Sequence, residues 1–205
     1  MSKISFKNIE TNHSGRIDFE VVENGSPARH YYFEFNDQVD PSNDAIAIAF
    51  CTLCGQKYES ITMNLPVSDR VQKAAREFTR AELICQDGVV DERARGNKIV
   101  LNFSGGFDSL ACLEVMPEST SLVTTDFGGW FSREVEFAKQ FDPLILSTNV
   151  RKNSSDTPAD QNLCSNSWTF MALGSILAAE TVGAGAVSFG SIIGASNHPP
   201  RCLLY

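Results

Sequence analysis

Lys98-Ile99-Val100-Leu101-Asn102-Phe103-Ser104-Gly105-Gly106-Phe107-Asp108-Ser109 decides how the rest of the chain is read. Residues 98–103 form a short apolar stretch of the buried-strand type, and a helical pattern resumes at Ser109. Between them two adjacent glycines permit positive φ and let backbone N–H groups approach a ligand closely. The N-terminus of the following helix adds partial positive charge. Ser104 and Ser109 offer hydroxyls, and Asp108 is of the right type to hold a divalent metal that a polyphosphate brings with it. A tight strand-to-helix turn, capped by Asp108 or Ser109, would need less than this full set. The complete Ser-Gly-Gly-x-Asp-Ser string between a strand and a helix points to a phosphate cradle.

Working outward toward the C-terminus, strand and helix patterns alternate. Strands are expected at 121–125, 144–147 and 186–189, with helices at 109–115, 133–141 and 166–182. Such alternation implies a parallel sheet covered on both faces, with the 98–103 strand central. Toward the N-terminus the period is two. Arg16-Ile17-Asp18-Phe19-Glu20-Val21 and His30-Tyr31-Tyr32-Phe33-Glu34-Phe35 flank the turn Asn24-Gly25-Ser26-Pro27, which predicts an antiparallel hairpin. Further strands are expected at 45–52 and 58–64. A helix should follow Pro66, capped by Ser68 or Asp69, with Val71, Ala74, Ala75 and Phe78 on one face. The charged run at 91–96 is the natural boundary, so residues 1–92 are expected as a small β-rich α+β domain and 96–205 as an α/β domain.

The 205 residues are 42% hydrophobic and 20% charged, enough apolar content for a real core and too much for a disordered chain. A net charge of −8 argues against duplex DNA or an anionic membrane as the main partner. No apolar run has the length of a signal peptide or a bilayer span, so a cytoplasmic location and reduced thiols are expected. Cys51-Thr52-Leu53-Cys54 has the spacing of a redox or zinc pair, but no second pair and no histidine accompany it. Two buried strand cysteines are expected instead. Rival nucleotide loops do not fit, for no lysine follows a glycine loop at the required spacing. Gly183-Ala184-Gly185 follows a helix rather than a strand and reads as a helix stop.

The loop resembles the SGGxDS motif of the PP-loop ATP pyrophosphatases, a superfamily of adenine nucleotide α-hydrolase type. Thr125-Asp126-Phe127-Gly128 and Glu134-Val135-Glu136-Phe137-Ala138-Lys139 resemble the next segment of the 7-cyano-7-deazaguanine synthase family, and residues 168–190 resemble its following helix and strand. The resemblance covers about half of the chain. It implies a doubly wound parallel sheet of the HUP type that binds ATP at the carboxyl ends of its strands. It also implies cleavage of ATP to AMP and pyrophosphate while a carboxylate or carbonyl oxygen is adenylated for attack by a nitrogen nucleophile. On that basis Ser104, Gly105, Gly106, Phe107 and Ser109 would meet the pyrophosphate, Asp108 would hold Mg²⁺, and Asp108 and Ser109 would take the catalytic roles. Asp126, Phe127 and Gly128 would border the adenosine. Asp126 equally suits a turn cap, and Phe127 equally suits plain core.

Departures from the family pattern lie at Gly129-Trp130-Phe131, Asn166-Ser167 and Ser191-Ile192-Ile193-Gly194, and only Cys202 lies beyond residue 190. Neither the family's deazapurine substrate nor its zinc site carries over, so the second substrate is left as a small molecule, nucleobase-like or otherwise. Arg151-Lys152 follows the third strand of this half and is either a phosphate contact or a solvated loop pair. Two alternatives stay open: a sulfur-transfer enzyme using a thiol such as Cys112, Cys164 or Cys202, and a nucleotide-binding module without catalysis. Fifteen residues after Gly190 leave little to wall off a second substrate. Pyrophosphate release is therefore expected to require a homodimer mate, a partner chain or a further C-terminal segment.

Overall fold

A computed structural model describes residues 2–12, 14–91, 93–151, 163 and 168–190. The expected hairpin is present as β2 (Arg16–Glu23) and β3 (Arg29–Phe35), paired antiparallel with Phe19 opposite Tyr31. Ile17, Phe19 and Val21 are buried, while Arg16, Asp18 and Glu20 alternate to the other face. Asn24 and Gly25 both take positive φ, as the tight turn requires. β1 (Lys3–Asn12) pairs antiparallel with β2 on its outer side. β4 (Ser60–Met63) lies parallel to β1, and β5 (Glu82–Cys85) parallel to β4.

Residues 45–52, expected as a strand, are instead the body of helix α1 (Asn43–Cys54). The apolar run is buried almost all round, which removes the periodicity that distinguishes helix from strand. Its ends carry the helix signals. Ser42 accepts from the Ala45 N–H at 3.2 Å, and Gly55 closes the C-terminus at φ 52°. Cys51 and Cys54 are thus helix rather than strand cysteines, and burial pushes the Cys51 thiol up to about 12. Phe50 on this helix stacks on Phe6 at 4.0 Å and packs against Phe19 and Phe33, joining α1 to the sheet. Helix α2 (Asp69–Thr79) is capped by Ser68 as expected. Its buried stripe runs Val71, Ala75, Thr79 with Phe78 half-buried; Ala74 is exposed, because packing follows the i, i+4 row through Val71.

The second half alternates as expected: β6 (Lys98–Asn102), α3 (Phe107–Glu114), β7 (Ser121–Asp126), α4 (Trp130–Ala138) and β8 (Leu144–Thr148). A 3₁₀ turn (Trp168–Ala172), α5 (Leu173–Ala178) and β9 (Ala184–Phe189) follow. The helix expected at 166–182 is therefore shorter and begins as 3₁₀, with Asn166 and Ser167 outside the described residues. β6 lies between β7 and β9 and is parallel to both, and β7 is parallel to β8. Leu101 and Phe103 pack with Leu110, Leu113 and Ala138 on one face, whereas α5 packs against α1 on the other. Gly174 brings α5 close to β7, where a Cβ would stand 3.1 Å from Val123 Cγ1.

The nine strands among the described residues belong to one sheet, ordered β5-β4-β1-β2-β3-β8-β7-β6-β9. β3 and β8 join the antiparallel and parallel halves, with Phe33 opposite Thr148 and Phe35 opposite Leu146. Asn36 and Asn149 side chains extend that seam by accepting from the Ile145 and Tyr32 N–H groups. The result is an α/β fold on a mixed sheet. Among the described residues no helix is long and apolar enough to cross a membrane.

Candidate functional site

The segment Ser104–Ser109 emerges at the carboxyl end of β6 and opens α3. After β6 the chain turns through α3 to β7 on one side; later it returns through α5 to β9 on the other. Strand order therefore reverses between β6 and β9, the place where open α/β sheets leave a crevice. Gly105 takes φ 78°, and a Cβ there would stand 2.9 Å from Phe137 Cδ1 on α4. Gly106, the N-cap of α3, is different. Its φ of −74° and ψ of 166° suit any residue, and among the described residues a Cβ there would find only Ser104 Oγ, at 3.4 Å.

Internal hydrogen bonds hold the loop open. The Gly106 N–H donates to Ser104 Oγ at 3.2 Å, and Ser109 Oγ donates to the Gly106 carbonyl at 2.9 Å. The two serine hydroxyls lie 3.3 Å apart, with Ser109 buried at 3% exposure. Among the described residues no side chain caps the N-terminus of α3, which leaves its first N–H groups without a side-chain acceptor. Asp108 is exposed on the first turn, and Phe107 stands 91% exposed beside it. Gly190, just after β9, closes the other side: a Cβ there would come within 2.6 Å of Ser109 N. In the sequence Gly190 is a glycine directly following a strand, a pattern that carries no sign of its closing role.

The end of β7 forms the second wall. Asp126 Oδ1 accepts from the Gly128 N–H and from Ser132 Oγ, both at 2.8 Å, so it caps the turn into α4. Phe127 is 1% exposed and meets Phe131 and Phe170 edge-on, as a core ring does. Gly128 has φ 78° with open space where a Cβ would be. A narrow cleft between β6, β7 and α4 is lined by Asn102, Ser104, Thr125, Phe131, Glu134 and Met171. Thr125 Oγ1 in that cleft is buried without a partner among the described residues. Partial burial lifts the Glu134 carboxyl above its ordinary range, although the residue as a whole is exposed. In the sequence Thr125 is part of a motif, and nothing in the pattern marks its hydroxyl as unpartnered.

Arg151 follows β8 and stacks over Phe131 and Phe170. Cys112 on α3 is half-buried with Sγ 3.9 Å from Ser188 Oγ. Lys152, Cys164, residues 191–194, His198 and Cys202 lie outside the described residues. Among the described residues no group of three or more histidine, cysteine, aspartate or glutamate side chains could hold a metal by itself. Asp108 is a single carboxylate there, and Mg²⁺ in general keeps waters and takes one or two carboxylates. Comparison of the chain with protein-family models, curated proteins and solved structures gave no match.

Proposed function

We propose that this chain binds ATP with its phosphates on the loop from Ser104 to Ser109 and acts as a PP-loop enzyme of the HUP type. Gly106 is the observation that carries the proposal. The backbone there accepts any residue, and among the described residues nothing crowds a Cβ, so the described fold does not account for the glycine. A phosphate approaching the backbone at that point does explain it. The uncapped N-terminus of α3 and the Ser104 hydroxyl supply donors for the same anion, and Ser109 joins them by turning its hydroxyl away from the Gly106 carbonyl.

In the proposed reaction a carboxylate or carbonyl oxygen of the second substrate attacks the α-phosphorus. Its bond to the bridging oxygen breaks, and pyrophosphate leaves with that oxygen. A nitrogen nucleophile then displaces AMP. The loop N–H groups and Ser109 orient the departing phosphates and stabilise the charge that grows on them. Asp108 would hold Mg²⁺, which neutralises charge on the leaving phosphates.

Calorimetry with Mg·ATP and with metal-free AMP tests this. Asp108→Ala is expected to weaken Mg·ATP at least about tenfold (about 1.4 kcal/mol) and to leave AMP nearly unchanged. Absence of ATP binding by the native chain overturns the proposal, and equal loss for both ligands removes Asp108 from the metal role. ATP binding without pyrophosphate release, in the presence of candidate acids and amines, favours a nucleotide-binding module over an enzyme.

A further inference from the structure

Arg151 stands just beyond β8, at the carboxyl end of the parallel strands. Its guanidinium carbon lies 4.8 Å from the centre of the Phe170 ring and 5.6 Å from that of Phe131. These rings come from separate elements, the 3₁₀ turn before α5 and the first turn of α4. Phe127 braces both edge-on, at 5.2 and 5.3 Å, and is itself fully in the core. The platform under Arg151 is therefore rigid.

Contact with ring faces restrains a guanidinium and consumes none of its five N–H donors. Among the described residues those donors meet no carboxylate, carbonyl or hydroxyl. Other anchored arginines are used differently. Arg16, Arg29 and Arg93 each hold a carboxylate at 2.7–3.0 Å. Among the described residues, then, Arg151 has no carboxylate although the chain holds 25 acidic residues, and its fork is open to an oxyanion. Its surroundings agree, because Phe131 also lines the cleft that contains Ser104 and the unpartnered Thr125 hydroxyl. β8 lies two strands from β6, which at the usual spacing sets Arg151 roughly 10 Å from the phosphate loop. One phosphoryl group cannot bridge that distance.

We infer that Arg151 is an oxyanion receptor, binding a carboxylate or phosphate group through two parallel N–H···O bonds. It is separate from the loop at 104–109 and does not depend on ATP binding there.

The test follows the Arg Nε–Hε signals of the full chain by ¹⁵N NMR, without nucleotide, during titration with acetate and with inorganic phosphate. The Arg151 signal is assigned by its absence in Arg151→Lys. A saturable shift of that signal is expected. The accompanying shifts of the Phe131 and Phe170 ring signals should need at least about tenfold more anion in Arg151→Lys, because an ammonium lacks the planar fork. Saturation by acetate alone supports a carboxylate ligand, and saturation by phosphate alone supports a phosphoryl ligand. Shifts that rise linearly with both anions overturn the inference, as do ring shifts in Arg151→Gln equal to the native ones. Should the Gln variant not fold, the native Nε–Hε signal decides alone.

Discussion

Replacing Gly106 by alanine separates the needs of the fold from the needs of a ligand. At φ −74° and ψ 166° alanine is unstrained, and its methyl would meet only Ser104 Oγ at 3.4 Å. Loss of glycine flexibility from the unfolded chain stabilises by about 0.4–1 kcal/mol. Loss of a favourable N-cap residue costs a similar amount. The net change is within about 1 kcal/mol, so Tm should move by no more than roughly 4 °C in a chain of this size. Bound phosphate, by contrast, would have to occupy the space the methyl fills, and the Kd for Mg·ATP should rise at least about tenfold, or about 1.4 kcal/mol. Gly105→Ala is the contrasting case. Positive φ costs alanine about 1–2 kcal/mol, and the contact at 2.9 Å falls on the half-exposed ring of Phe137, which can swing away. Its Tm should drop by roughly 2–8 °C. Thermal unfolding and calorimetry on both variants decide. A Gly106→Ala chain that binds ATP like the native one, or unfolds as early as Gly105→Ala, refutes the cradle.

Three further outcomes are expected. Phe50→Ala removes a ring with no exposure that stacks on Phe6, and should destabilise by about 3–5 kcal/mol, read as a Tm drop of roughly 6–20 °C. Asp44→Ala leaves the buried Ser68 N–H and hydroxyl without their acceptor, now at 2.8 and 2.6 Å, and should cost about 1–3 kcal/mol in urea unfolding. At Glu23 burial pushes the carboxyl up, but hydrogen bonds from Lys57 and Tyr58 and the charges of Lys57 and Arg29 outweigh it and hold it below its ordinary 4.5. A depressed carboxyl stabilises the fold above that ordinary value and stops doing so as pH falls through the lowered one. Glu23→Gln should therefore flatten the loss of stability on the acid side of pH 4.5, and an unchanged acid limb would dismiss the contribution.

The hairpin and the parallel strands were legible because each had one dominant period, two or alternating, with turn residues between. α1 was not, because an apolar run buried on nearly every side shows no period. Ser42, Asp44 and Gly55 were the cap signals that distinguished it from a strand. Pairing of β3 with β8 was invisible for another reason: both strands look complete by themselves, and their partnership spans most of the chain. The glycine loop could be read from its residue types alone. The stacking of Arg151 could not, because Phe131 and Phe170 are neighbours only once α4 and the turn before α5 have been placed.

The seam between β3 and β8 has a consequence during synthesis. Thr148 Oγ1 donates to the Tyr32 carbonyl across 116 positions of sequence. At usual elongation rates that separation takes roughly 6–23 seconds to make. For that interval the nascent hairpin carries Phe33 and Phe35 on a strand whose outer edge has nothing to pair with. An open strand edge is a template for other chains. Ribosome-bound chains ending before residue 144 should therefore self-associate or recruit chaperones, and those long enough to expose β8 outside the tunnel should not.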